Sequence, residues 1–243
     1  MSDQPWCDKV VSVTGGSAGL GLAIARSALM QGASVAICGR RRERLDDAAL
    51  RLRDLGPGRV LPIGGDLTCD QDAEYVASTT LEELGGLDML CNCVGISHRA
   101  EILATTPADI QRLLEMNLFA AVRMSRALAE PLIEKKGHLV NIGSLASKAA
   151  PRYLGAYPVS KFALAAYTQQ LRLELGPRGL HVLHVCPGPI ARDDAGARYA
   201  ESAPSLPAAA HRAGGGAKVR SIEPDWLADK ILRACQRRKT ELV

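Results

Sequence analysis

No apolar stretch in this chain of 243 residues approaches the roughly 20 consecutive residues that a bilayer-spanning helix needs. The opening Met1-Ser2-Asp3-Gln4-Pro5-Trp6 lacks a basic segment followed by an apolar one, so no secretory leader is expected. An excess of one charge is missing too. Lys plus Arg number 30 against 26 Asp plus Glu, and a net +4 is too slight to argue for nucleic acid. The seven cysteines, at 7, 38, 69, 91, 93, 186 and 235, are scattered. Cys91-x-Cys93 alternates on one face of a strand with no second ligand pair nearby, so no metal is expected. Cys38, Cys93 and Cys186 fall in or at the ends of strand patterns, where reduced thiols act as small apolar residues, and a cytoplasmic location is expected. There is no internal repeat and no linker. What is present, 47% hydrophobic and 23% charged, suits a globular chain that buries one sizeable core.

Strand patterns fall near 9–13, 33–38, 59–63, 87–93, 138–142 and 181–186, and Glu241-Leu242-Val243 reads as the start of a seventh. Helical spacing of apolar residues lies between them, near 20–31, 41–55, 70–85, 107–135, 157–176 and 224–237. Thr106-Pro107-Ala108-Asp109 has the form of a capping box with proline in the first turn. Pro131 strains the long 107–135 helix near its end, so its last turn is expected to be separate. Pro158 belongs to a first turn, where its missing N–H is harmless, and it holds Tyr157 at the helix entrance. This alternation predicts one α/β domain over 1–243, a doubly wound parallel sheet of about seven strands with helices on both faces. Ligands in such sheets bind beyond the carboxyl ends of the strands.

Two motifs carry chemistry. Tyr157 and Lys161 lie one helical turn apart, with Ser144 upstream at the end of an apolar run. A phenol is a poor base at neutral pH because its ordinary pKa is about 10, and an ammonium on the same helix face favours the phenolate. A serine hydroxyl nearby is suited to holding a substrate oxygen while its charge develops. The second motif is Thr14-Gly15-Gly16-Ser17-Ala18-Gly19-Leu20-Gly21, placed between a short apolar strand and an amphipathic helix. Glycines there let the backbone approach a pyrophosphate, and the helix amino terminus presents unpaired N–H groups to it.

With both motifs in place the chain resembles the single-domain branch of the short-chain dehydrogenase/reductase family over nearly its whole length. That resemblance implies a Rossmann-type fold. Thr14 to Gly21 is similar to the family's cofactor loop, which implies cofactor contacts from Gly15, Ser17, Gly19, Leu20 and Gly21. Asp66-Leu67 is similar to the family's adenine-contacting pair, and Asn92-Cys93-Val94-Gly95 stands where members usually show Asn-Asn-Ala-Gly. Asn117, Ser144, Tyr157 and Lys161 match the family's catalytic tetrad, with Lys161 and Tyr157 also expected on the nicotinamide ribose. Cys186-Pro187-Gly188-Pro189-Ile190 matches the segment beside the nicotinamide, which implies contacts from Pro187, Gly188 and Ile190. Arg192 departs from the pattern, occupying the place of a threonine that usually bonds the carboxamide.

Cofactor choice is read at the end of the second strand. Members that prefer NAD generally carry an acidic residue there; here Gly39 leaves room for a 2′-phosphate and Arg40 offers a planar cation to grip it. NADP(H) is expected over NAD(H), with Arg42 and Arg44 read as a solvated helix start. Asp193 to Arg220, rich in Ala, Pro and Gly, is expected to cover the substrate. His98 and Tyr153 are candidates for lining the substrate pocket beside Ser144 and Tyr157, although His98 reads equally as a surface-loop histidine. The resemblance implies hydride transfer between NADP(H) and a small-molecule carbonyl or alcohol, with Tyr157 as general acid/base, in a homodimer or homotetramer. A non-catalytic NADP-binding regulator, or an epimerase or dehydratase using the same Tyr-Lys pair, are the other readings of these motifs.

Overall fold

The computed structural model describes residues 5–191, 205–212, 214 and 220–243. Seven parallel strands form one sheet in the order β3-β2-β1-β4-β5-β6-β7. The strands are β1 (Val10–Thr14), β2 (Ser34–Gly39), β3 (Val60–Gly64), β4 (Met89–Asn92), β5 (His138–Ile142), β6 (His181–Val185) and β7 (Glu241–Leu242). The order reverses between β1 and β4, which pair from Val11↔Met89 to Thr14↔Asn92. A reversal of this kind opens a crevice at the carboxyl ends of the two strands.

Strand alternation explains the two cores. In β2 the odd residues Val35 and Ile37 enter one cluster, with Ile24 and Leu29 of α1 (Gly19–Met30), Leu45 of α2 (Arg42–Leu52) and Ile231 of α7 (Pro224–Gln236). The even residues Ala36 and Cys38 enter the other, with Val76 of α3 (Asp70–Leu84) and Met124 and Leu128 of α5 (Ala120–Glu134). A period of two sends successive side chains to opposite faces, so a run that is apolar throughout has to be covered on both. Each fully buried Leu or Ile contributes about 1.5–3 kcal/mol.

The 107–135 region departs from the expectation of one helix with a separate last turn. It forms α4 (Pro107–Leu114), a single π turn (Glu115–Phe119) and then α5, which runs through Pro131 to Glu134 without a break. Pro131 has no N–H for the Ala127 carbonyl one turn back, and the helix nevertheless continues past it. The expected capping box is present: Thr106 Oγ1 accepts from the Asp109 N–H at 3.2 Å, and the Thr106 N–H donates to the Asp109 carboxylate at 3.1 Å. The remaining long helix, α6 (Tyr157–Leu175), begins at Tyr157 itself with Pro158 in its first turn.

Candidate active site

A cavity of about 1120 Å³ lies at the carboxyl ends of the strands. β1 delivers Gly15 and Ser17 to it, β2 Gly39 and Arg40, β3 Asp66 and Leu67, β4 Gly95, β5 Ser144, and β6 Pro187, Gly188 and Ile190. Gly19, Leu20 and Gly21 line it from the first turn of α1, and Tyr157 and Lys161 from that of α6.

The glycine loop owes its path to two positions. Gly15 has φ 67°, a left-handed conformation that L side chains rarely adopt. Gly21 packs so closely that a Cβ would sit 2.4 Å from the Gly15 carbonyl oxygen. Thr14 joins this loop to the next strand, its hydroxyl accepting from the N–H groups of Cys93 at 3.0 Å and Val94 at 3.3 Å. Ala18, the residue before α1, supplies no side-chain cap, and the first turn carries no acidic residue. The opening N–H groups of α1 are therefore suited to an anion in the cavity. A dinucleotide phosphate matches this cradle.

At the other end of the cavity Arg40 Nη1 lies 3.8 Å from Asp66 Oδ2, both side chains about half exposed. Asp66 is oriented by Thr68, whose N–H and hydroxyl donate to Oδ1 at 3.1 and 2.9 Å. A Cβ on Gly39 would be in ordinary van der Waals contact with the Ser17 hydroxyl at 3.5 Å and Leu45 at 3.6 Å. No acidic side chain stands at this strand end beside the Arg40 guanidinium, and Gly39 and Arg40 both line the cavity.

The chemical end is tightly built. Ser144 has an extended backbone (φ −171°) and its Oγ accepts from the Ala146 N–H at 3.1 Å. That bond uses a lone pair and leaves the hydroxyl proton for a substrate oxygen. Lys161 is 4% exposed; its Nζ donates to the Ile142 carbonyl at 2.8 Å and lies 5.8 Å from the centre of the Tyr157 ring. Burial pushes the Lys161 pKa down to about 8. Asn117, on the π turn, is 1% exposed; its oxygen accepts from the Ile96 N–H at 2.7 Å, and its amide hydrogens go to the Ile96 carbonyl and the Ser160 hydroxyl, each at 2.9 Å. Ser160 passes the connection on, donating to the Tyr157 carbonyl at 2.8 Å. The Asn117 side chain thus braces the first turn of α6, and a Cβ on Gly95 would press between it and Lys161.

Other expected residues are placed elsewhere. Asn92 does not line the cavity; it is buried beneath it, donating to Asn141 Oδ1 at 2.9 Å, and Asn141 in turn donates to Thr168. Tyr153 also stays off the cavity wall, its carbonyl accepting from the Ala100 N–H. His98 does line it. Arg192 and most of 193–220 fall outside the described residues, but Gly214 lines the cavity. Arg99, which sequence reasoning missed, is 8% exposed and its guanidinium donates to the carbonyls of Ala210 and His98, each at 2.9 Å. No local pattern marks that residue, because its partner is more than a hundred positions away.

A second buried set supports the serine. Ser147 donates to the Ser144 carbonyl at 2.6 Å and lies 3.5 Å from Cys186 Sγ, which is 3.4 Å from His184 Nδ1. Burial drives the His184 pKa down to about 4, so the ring is neutral. At the opposite end of β6, His138 Nδ1 and His181 Nδ1 lie 2.9 Å apart and His181 Nε2 reaches the Lys239 carbonyl at 2.7 Å. These rings share protons with each other and with the backbone, as structural histidines do.

Residues 9–202 match the family model described as short chain dehydrogenase. A 3alpha-hydroxysteroid dehydrogenase from Mediterraneibacter gnavus is 33% identical over 191 residues, covering 77% of this chain and 75% of that one. Dehydrogenase/reductase SDR family member 7B from Danio rerio is 34% identical over 187 residues, covering 74% of this chain but only 60% of the relative. Among solved structures, L-sorbose reductase from Gluconobacter frateurii, complexed with NADPH and L-sorbose, superposes with a TM-score of 0.84 at 26% identity, covering 96% of this chain and 92% of that one. A short chain dehydrogenase from Burkholderia cenocepacia in complex with NADP gives 0.83 at 30% identity, covering 98% and 96%.

Proposed function

We propose that this chain, which belongs to the short-chain dehydrogenase family, transfers a hydride between NADP(H) and a carbonyl or secondary alcohol, with Tyr157 as general acid/base. The observation that carries the reading is that Ser144, Tyr157 and Lys161 line the same cavity as the glycine loop, with Lys161 Nζ 5.8 Å from the centre of the Tyr157 ring. When bound, the dinucleotide supplies or takes the hydride. The chain's own residues handle the proton and the charge. Ser144 donates its hydroxyl proton to the substrate oxygen and fixes that oxygen beside Tyr157. Tyr157 gives a proton to this oxygen in reduction and removes one in oxidation. Lys161, held by the Ile142 carbonyl, favours the phenolate and is placed to bond the nicotinamide ribose. Asn117 keeps the first turn of α6 in register through Ser160.

Gly15, Ser17, Gly19, Leu20 and Gly21 would hold the pyrophosphate; Asp66, Leu67 and Gly95 the adenosine half and the floor; Pro187, Gly188 and Ile190 the nicotinamide. NADP(H) is favoured because Gly39 carries no carboxylate to repel a 2′-phosphate and Arg40 places a cation there. The L-sorbose reductase and Burkholderia structures, which contain NADPH and NADP, support that choice. Arg99, bound to the Ala210 carbonyl, attaches part of the 193–220 segment to the cavity wall, in keeping with a substrate-covering role. Exposed Val159, Phe162 and Leu173 on α6 support self-association as a dimer or tetramer. No helix among the described residues is long and apolar enough to cross a membrane. Together with seven free cysteines this is consistent with a cytoplasmic enzyme.

The test is Tyr157→Phe. Turnover of a ketone that the unmodified protein reduces should fall by about 10² to 10⁴, the usual contribution of a positioned acid or base, with NADPH affinity changed little because Lys161 and the glycine loop remain. A variant that keeps most of its turnover removes Tyr157 from the chemistry.

A further inference from the structure

We propose that His98 is a positioning residue that sets the approach of Tyr157 by accepting a hydrogen bond from the backbone N–H of Ala156. The inference rests on the reading of Tyr157 as the acid/base. Ala156 is the residue before α6, and no side chain from its own segment caps that helix. His98 Nδ1 accepts the Ala156 N–H at 3.2 Å, fifty-eight positions away in sequence. A bond at this place fixes the residue immediately before the acid/base.

The surroundings are built for that contact. Gly155 has φ 48°, and a Cβ there would lie 2.4 Å from His98 Nδ1, so only glycine lets the ring come so close. The two segments are joined again two residues on, where the Ala100 N–H donates to the Tyr153 carbonyl at 3.2 Å and Ala100 bridges Leu154. On its other side the ring reaches α4: Nε2 lies 3.8 Å from Asp109 Oδ1. His98 therefore couples the capped start of α4 to the start of α6, as Asn117 couples the π turn to Ser160 in the same helix.

The tautomer follows. Nδ1 can accept only when bare, so the proton sits on Nε2 towards Asp109. Protonating Nδ1 sets donor against donor and breaks the contact. The charged groups acting on the ring are Asp109 and Arg112 of α4 and Arg99 of its own segment; Gly155 and Ala156, packed against it from the α6 side, carry no charge. Burial outweighs Asp109 and lowers the His98 pKa, which keeps Nδ1 bare at neutral pH and confines its loss to the acid side.

Asparagine offers its side-chain oxygen close to where Nδ1 stands, with no proton to gain in the working range. His98→Asn and His98→Ala are compared with the unmodified protein by amide hydrogen exchange at Ala156, and by kcat and NADPH affinity with a reducible ketone. In His98→Ala, exchange at Ala156 should quicken and kcat should fall about threefold to tenfold, the size of one hydrogen bond, with NADPH affinity unchanged. His98→Asn should restore both, and it should lack the acid limb expected in the kcat of the unmodified protein. Unchanged exchange at Ala156 in His98→Ala, or an asparagine variant no better than alanine, overturns the proposal. If His98→Ala fails to fold, the acid limb of the asparagine variant against the unmodified protein decides alone: its persistence overturns the proposal. Should Tyr157→Phe stay active, the hydrogen-exchange result still reads the His98 contact, so the two failures are distinguishable.

Discussion

Replacing Arg40 by alanine should weaken NADPH and leave NADH untouched. The guanidinium follows Gly39, which carries no carboxylate, with the Asp66 carboxylate 3.8 Å away and both side chains about half exposed. An ion pair that exposed contributes at most about 1 kcal/mol. A 2′-phosphate held by the same guanidinium makes charge-assisted hydrogen bonds of about 1.5–3 kcal/mol. Binding trades part of the first interaction for the second, so Arg40→Ala should cost NADPH about 1–2.5 kcal/mol, a factor of roughly five to sixty in Kd. NADH has no phosphate to lose and its Kd should move by less than a factor of about two. Calorimetric titration of both cofactors into both proteins, repeated at raised salt, makes the comparison. The phosphate-dependent part should shrink with salt because the site is open to solvent. Equal Kd values for NADPH and NADH in the unmodified protein, or an equal loss of both in the variant, refutes the reasoning.

Lys161→Met should abolish turnover yet unfold at a higher temperature at pH 7, because the buried ammonium, its pKa lowered to about 8, destabilises the native state by on the order of 3 kcal/mol. Between pH 8 and 10 the unfolded chain binds more protons at this residue than the native one, so the stability of the unmodified protein should rise relative to the variant across that window. A variant that is less stable than the unmodified protein at pH 7, by thermal unfolding, contradicts this. Gly21→Ala should weaken NADPH at least about tenfold, since its Cβ would fall 2.4 Å from the Gly15 carbonyl and push the loop out of shape. Unaltered NADPH binding in a titration would show that the loop has room that the structure denies.

The strands were legible because β1, β2, β4 and β6 carry apolar residues for both faces of the sheet, and that requirement is written locally. The same holds for the glycine loop and for Tyr157, whose place at the start of α6 is dictated by Pro158. The 107–135 region was misread because Pro131 is a visible local signal and the π turn is not. Glu115-Met116-Asn117-Leu118-Phe119 are ordinary helix residues, and what holds the turn is the bonding of Asn117 to Ile96 and Ser160. Asn92 was assigned by resemblance to the cofactor, yet its side chain turns to Asn141 across the sheet. His98 could be placed near the pocket, but its bond to Ala156 depends on how two distant loops meet.

The π turn makes chain length at this place as constrained as residue identity. A π turn holds one residue more than the regular helix would, so deleting any one of 115–119 would let α4 and α5 merge into an unbroken helix with better hydrogen-bond geometry. Winding the same five residues into a regular helix, with none deleted, would instead rotate α4 by about 100° against α5. Leu113 would leave the core, and the bracing amide would swing away from Ile96 and Ser160. Local backbone stability and the working geometry of the site pull in opposite directions there, and the extra residue is where the chain settles that conflict in favour of the site.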